Sequence, residues 1–193
     1  SDLMGDLLVE GEELVRFQID KGAMQLITGR AIQVAIGKHR IGYLRGQQDV
    51  TILAGQVTKI RIPVTLAEQM VQDARAALDR KDLIHGQESL DQLRRMIQRG
   101  KAPQSMQADL SFQQARLHES RDQLDLALME YNRVLNIPAG QRRAELNAAL
   151  QATQGRLSSK VSRIQVFTLV DGQCVITREI WSSPGQQQIR SEE

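Results

Sequence analysis

The chain has 193 residues, 41% of them hydrophobic, enough for one domain or two small ones with a buried core. Only 3% are aromatic, which argues against the stacking platforms that single-stranded nucleic-acid sites present. The formal charge is +2, from 25 basic and 23 acidic residues spread evenly, so no segment reads as a dedicated polyanion binder. Cys174 is the single cysteine, which excludes an internal disulfide and a cysteine-based zinc site. No apolar run approaches the roughly 18 residues that a membrane span needs.

Residues 13–19, Glu-Leu-Val-Arg-Phe-Gln-Ile, alternate apolar and polar positions as a half-buried strand does. Asp20-Lys21-Gly22 supplies a turn, and strand signals follow at 24–28, 32–36, 40–44, 50–53 and 57–64. Gly29, Gly37, Gly46 and Ala54-Gly55 separate them, at the spacing of a small antiparallel sandwich.

Phe17 to Arg30, with its Gly22-Ala23 pair before a short strand, resembles the opening of PEGA-type domains, small β-sandwiches of bacterial envelope proteins. Gly37-Lys-His-Arg-Ile-Gly-Tyr43 is similar to the family's Gly-x-His strand, and Val50 to Ile62 to its closing hairpin. The resemblance covers about 48 residues, and Asp20-Lys21 stands where the family has Pro-Glu. It implies a non-catalytic, extracytoplasmic structural or adhesive module.

From Thr65 the periodicity changes to helical. Thr65-Leu-Ala-Glu68 is a capping box, and Leu66, Met70, Val71, Ala74, Ala77 and Leu78 mark one face of the helix it opens. A break at Asp82–Gly86 precedes a second helix, 87–99, burying Leu90, Leu93, Met96 and Ile97 and ended by Gly100 and Pro103. A further pair is predicted over 105–120 and 124–136, with Pro138 as its stop. Its inward set is Leu110, Ala115, Leu117, Leu124, Ala127, Leu128, Tyr131, Val134 and Leu135. Arg142 opens a fifth helix that fades after Gly155.

Ala77 and Ala115, Ser89 and Ala127, Leu93 and Tyr131, and Met96 and Val134 are each 38 positions apart, which suggests a duplicated helical hairpin. The second copy, with Ala115, Ala127, Tyr131 and Pro138, resembles a tetratricopeptide repeat. That family's period is about 34, so the surplus falls in the loop 100–104, and the first copy departs further, with Ser89 at a small-residue position. The resemblance implies an open arc whose inner helices offer a groove to a peptide or protein. The alternative is a compact five-helix bundle packed on the β-domain.

Ser158–Lys160 reads as a linker. Strands 163–170 and 173–181 are joined by Asp171-Gly172, a strong hairpin signal, and Ser183-Pro-Gly185 leads to a short strand at 187–190. These strands either form a second, truncated sandwich-like unit or return to complete the N-terminal sheet, and an isolated hairpin is expected to dock or to pair with another chain as a homodimer. The predicted class is therefore α+β: a β-sandwich domain over 1–64, a five-helix tetratricopeptide-like domain over 65–157, and a C-terminal β-hairpin segment over 158–193.

His39, His85 and His118 lie in separate elements without acidic or cysteine partners in ligand spacing, so no metal site is expected. There is no phosphate-cradling Gly-rich loop and no nucleophile elbow, and neither an enzyme nor a cofactor is expected. Arg94, Arg95, Arg99 and Lys101 are the densest basic patch, extended by Arg142 and Arg143. They read either as a solvated helix end favoured by the helix dipole or as a polyanion contact. Trp181 is either core or an exposed anchor. The expected function is protein or peptide binding by a periplasmic or outer-membrane-associated, lipoprotein-like module, through helical residues such as Gln113, His118, Arg121, Tyr131 and Arg133. The second reading is a cytoplasmic scaffold that binds nucleic acid or another polyanion through Arg94–Lys101.

Overall fold

The computed structural model describes residues 3–136, 143–160, 163–183 and 186–190. The fold is α+β, and it divides into two compact units, Ser1–Met106 and Gln107–Glu193. The division falls within the helical stretch, so the first helical hairpin shares a unit with the N-terminal strands.

Seven strands open the first unit: β1 (Met4–Glu10), β2 (Arg16–Ile19), β3 (Met24–Leu26), β4 (Ile32–Ala35), β5 (Gly37–Tyr43), β6 (Gly46–Ile52) and β7 (Val57–Arg61). They form a three-stranded sheet in the order β4-β1-β7 and a four-stranded sheet in the order β3-β2-β5-β6. Leu7 and Val9 of one sheet share a core with Phe17, Ile41, Val50 and Ile52 of the other. Most pairings are antiparallel, but β1 runs parallel to β7, with Leu7 opposite Thr58. The intervening strands provide the long connection that a parallel pair requires.

The strand β1 is absent from the sequence reading, because Gly5-Asp6 and Leu7-Leu8 hide its alternation. In the fold Gly5, Leu7 and Val9 are buried in alternation. A Cβ on Gly5 would stand 2.3 Å from the Leu53 carbonyl oxygen and 2.7 Å from Ile52 Cγ2, so only glycine fits there. The pairing of β7 stops at Arg61, short of the anticipated end at 64, although Ile62 and Val64 stay in the core.

Two helices complete this unit, α1 (Leu66–Asp79) and α2 (Leu83–Gln98). The capping box forms: the Glu68 N–H donates to the Thr65 hydroxyl at 3.1 Å and the Thr65 N–H donates to the Glu68 carboxylate at 3.1 Å. The anticipated break at 82–86 is only a short connection. Asp82 caps α2 by accepting the His85 N–H at 3.2 Å, and Gly86 lies inside the helix, where an added Cβ would be 3.1 Å from Leu78 Cδ2. A single 3-10 turn, Gln104–Met106, ends the unit.

The second unit contains α3 (Gln107–Ser120), α4 (Leu124–Leu135) and α5 (Arg143–Lys160), followed by β8 (Arg163–Val170), β9 (Gln173–Ser183) and β10 (Gln186–Arg190). Ala108, Phe112, Ala115, Ala127, Tyr131, Val134, Leu146 and Leu150 make its helical core. The Phe112 and Tyr131 rings meet edge to face, with centroids 5.5 Å apart. Leu135, anticipated to point inward, is 43% exposed. Residues 158–160, anticipated as a linker, continue α5. The last three strands pair antiparallel with one another in the order β10-β9-β8, as a sheet separate from the N-terminal ones. Pro138, Arg142 and the turn at 184–185 lie outside the described residues, as do the side chains of Arg143, Cys174 and Trp181.

The two helical hairpins correspond residue by residue at a different spacing from the one read in the sequence. Leu66 and Gln107, Asp79 and Ser120, and Leu83 and Leu124 are each 41 positions apart. The turn bonds repeat at the same spacing. The Lys81 N–H donates to the Leu78 carbonyl and the Asp82 N–H to Ala77, as the Asp122 N–H does to Glu119 and the Gln123 N–H to His118. Both corners are therefore Schellman turns.

Candidate functional site

Two concave surfaces of the first unit carry polar groups, and their geometry separates them. The larger, about 1000 Å³, spreads over the face of the four-stranded sheet and includes Asp20, Lys38, His39, Arg40, Tyr43 and Asp49. His39 is its only imidazole, and both ring nitrogens are engaged: Nδ1 lies 2.5 Å from Asp20 Oδ2, and Nε2 lies 2.7 Å from the Ala35 carbonyl. Both neighbours are acceptors, so the doubly protonated ring suits the site, and the hydrogen bond to Asp20 raises the His39 pKa above its ordinary 6.5. The Arg40 N–H, donating to Asp20 Oδ1 at 2.7 Å, and then the His39 bond hold the Asp20 pKa below its ordinary 3.8. With both ring nitrogens engaged, the pair fastens β5 to the turn after β2.

The second surface is a groove of about 410 Å³, lined by Glu12, Glu13, Leu14, Leu66, Gln92, Arg95, Met96, Arg99 and Lys101. One wall is the turn between β1 and β2. The Val15 N–H donates to the Glu12 carbonyl at 3.3 Å, closing a four-residue turn whose third residue, Leu14, has a left-handed φ of 68°. The Leu14 N–H donates to the Ile27 carbonyl at 3.1 Å, and the Ile27 N–H donates to Val15 at 2.9 Å, so two residues oppose one. That is a β-bulge whose left-handed first position usually belongs to glycine. Leucine there costs about 1–2 kcal/mol, and its side chain is 51% exposed.

Helix α1 holds this strained turn in place. The buried Gln69 side chain donates to the Leu14 carbonyl at 3.2 Å and accepts the Arg16 N–H at 2.8 Å. Glu12 accepts the Leu66 N–H at 3.1 Å, capping one of the free amides at the start of α1, and Arg16 pairs with Asp73.

The opposite wall is the C-terminal end of α2. Gly100, at φ 68°, turns the chain so that the Lys101 N–H donates to the Met96 carbonyl at 2.8 Å. This Schellman turn brings Lys101 back beside Arg95 and Arg99. Arg95, Arg99 and Lys101 are exposed and make no ion pair among the described residues, and the Glu13 carboxylate opposite also lacks one. Arg94, the fourth cation of the patch, points elsewhere and binds Asp91 at 3.2 Å.

The helical residues expected to touch a partner do not form one surface. Gln113 and Tyr131 are interior: the Gln113 carbonyl accepts from Arg116 at 3.0 Å, and the Tyr131 hydroxyl donates to Glu119 at 2.6 Å. His118 Nδ1 lies 2.9 Å from Gln123, Arg133 pairs with Glu130 at 2.9 Å, and Arg121 is exposed. Sequence reasoning found three of the cations of the groove and missed Glu12, Glu13, Leu14 and Gln69. Gly11 followed by two glutamates was the available turn signal, and assigning residue 13 to a strand concealed it.

Among the described residues, no group of three or more His, Cys, Asp or Glu could hold a metal ion, and no helix is long and apolar enough to cross a membrane. Comparison of the chain with protein-family models, curated proteins and solved structures finds no match.

Proposed function

We propose that this chain is a non-catalytic protein-interaction module that receives a segment of another protein in the groove between Glu12–Leu14 and the end of α2. The observation that carries this reading is Leu14, an exposed aliphatic side chain held in left-handed backbone beside three cations that make no ion pair among the described residues. Among the described residues with left-handed non-glycine backbone, Leu14 is the one apolar side chain, at a bulge that glycine would fill without strain. The resemblance of residues 17–64 to PEGA-type domains supports a bacterial envelope location, and cell fractionation tests that part separately.

The test of binding is a photo-crosslinking residue at Gln92, which lines the groove, with Lys59 on β7 as control. The expected result in native cells is a crosslinked protein specific to position 92 that disappears with the Arg95→Glu/Arg99→Glu pair. Equal products at both positions would overturn the reading.

A second reading, polyanion binding, rests on the same Arg95, Arg99 and Lys101. Glu12 and Glu13 line the same groove and repel a uniformly anionic ligand, which favours a protein segment. Oligonucleotide binding that falls steeply with salt would favour the polyanion instead.

A further inference from the structure

We infer that the occupant of this groove is a linear acidic-aliphatic segment: a leucine-like side chain seated among Leu14, Leu66 and Met96, with carboxylates directed at Arg95, Arg99 and Lys101. The inference rests on the reading of the groove as a protein-binding site and specifies what that site selects.

Charge complementarity carries the argument. The groove is polarised, with three cations that make no ion pair among the described residues on the α2 wall and carboxylates on the loop wall. The carboxylates differ from each other: Glu12 is engaged at the Leu66 N–H, while Glu13 makes no ion pair among the described residues. An anionic occupant therefore gains most at the α2 wall, where guanidinium groups offer charge-assisted hydrogen bonds to carboxylates. The remaining lining is Gln92 and three aliphatic residues: Leu14, 51% exposed, the half-buried Leu66 and the buried Met96. A purely anionic chain leaves that apolar surface wet, and a purely aliphatic one leaves the cations without partners. A segment that carries both covers the apolar lining and pairs the three cations, while the exposed Glu13 stays hydrated. The bulge also has a role, because it turns Leu14 outward while its neighbours Val15 and Phe17 enter the sandwich core.

The experiment uses the full chain, titrated with an acetylated and amidated peptide of alternating glutamate and leucine and followed through the methyl resonances of Leu14 and Met96. Control peptides replace leucine by serine or glutamate by lysine, and a single-stranded oligothymidylate serves as a non-peptide anion. The glutamate–leucine peptide is expected to shift both methyl groups, and Arg99→Glu to weaken binding at least about fivefold. Leu14→Gly, which relieves the backbone and keeps the fold, is expected to weaken it about tenfold or more. Binding of the serine peptide as strong as that of the leucine peptide, or of the lysine peptide as strong as that of the glutamate peptide, would overturn the inference. So would an oligothymidylate that binds at the same residues more tightly than any peptide. A crosslinked partner whose captured segment is basic would also overturn it while leaving the groove a protein-binding site. Loss of the position-92 crosslink altogether would remove the underlying reading.

Discussion

Lys81 and Asp122 occupy equivalent corners of the two helical hairpins, 41 positions apart, each in left-handed backbone with φ of 61° and 59°. Neither is glycine, so each turn carries a cost of about 1 kcal/mol. Lys81→Gly and Asp122→Gly are each expected to raise stability by up to about 1 kcal/mol, since relief of the strain exceeds the added freedom of the unfolded chain. Lys81→Val, with a β-branched side chain at the same φ, should lower it. Urea denaturation of the three variants measures both signs.

Leu14 sets stability against binding. Leu14→Gly is expected to stabilise the first unit by up to about 1 kcal/mol, because the bulge geometry fits glycine. The same change should weaken binding to the groove about tenfold or more. Gln69→Ala should do the opposite to stability: it leaves the Leu14 carbonyl and the Arg16 N–H without their buried partner, at about 1–3 kcal/mol. Melting curves of the two variants, compared with peptide titration, separate the effects.

Gly5→Ala tests the close approach that defines β1. The new methyl would sit 2.3 Å from the Leu53 carbonyl oxygen, a backbone atom that cannot rotate away. The expected loss is about 1–3 kcal/mol, the range for overpacking a filled core. Alanine at Gly29, with nothing within 4 Å but φ at 75°, meets no clash and should cost only the smaller backbone penalty. Thermal melting of the pair distinguishes crowding from strain.

Much of the helical architecture was legible because apolar spacing and caps are local. Thr65–Glu68 opens α1, and Leu90, Leu93, Ala115 and Ala127 are buried as their periodicity requires. The repeat spacing was misread by three residues, from 41 to 38, because that shift is close to the 3.6 residues of a helical turn and lays one apolar stripe almost on itself. What decides the true spacing is the pair of left-handed corners, and neither Lys81 nor Asp122 advertises that conformation as glycine would. The groove was illegible for the same reason. A leucine in a glycine conformation leaves no local signal, and Gln69 meets Leu14 across 55 positions of sequence.

The bond between His39 and Asp20 gives the first unit a pH dependence of definite sign. The folded His39 pKa is raised, so its stabilisation is fully present below 6.5 and is lost as pH rises through the folded value. The folded Asp20 pKa is lowered, so its stabilisation is fully present above 3.8 and is lost as pH falls through the folded value. Both act fully between those limits. Melting temperature recorded from pH 5 to pH 9 should decline on the alkaline side in the native chain, and decline less in His39→Gln. NMR titration of the ring should place its midpoint above 6.5, and Asp20→Asn should lower it.

Glu119 ties three helices of the second unit together. It accepts the Tyr131 hydroxyl from α4 at 2.6 Å, and from α5 it meets the Thr153 hydroxyl at 2.8 Å and the Arg156 guanidinium at 3.1 Å. The Thr153 hydroxyl also lies 2.8 Å from the Ala149 carbonyl, and its one hydrogen serves either acceptor. Glu119→Ala leaves the buried Tyr131 hydroxyl without its acceptor, while Thr153 keeps the Ala149 carbonyl, at a cost of about 1–3 kcal/mol. Tyr131→Phe removes only one donor to a carboxylate that keeps its other partners, so about 1–2 kcal/mol is expected. Burial, and then the Glu119 carboxylate, raise the Tyr131 pKa above its ordinary 10.0, so the folded unit holds that proton and loses stability as pH climbs beyond that value. In Tyr131→Phe this alkaline loss should shrink, as followed by circular dichroism from pH 8 to pH 11. An unchanged alkaline limb would assign the instability to other groups and leave the Glu119 cluster with a packing role alone.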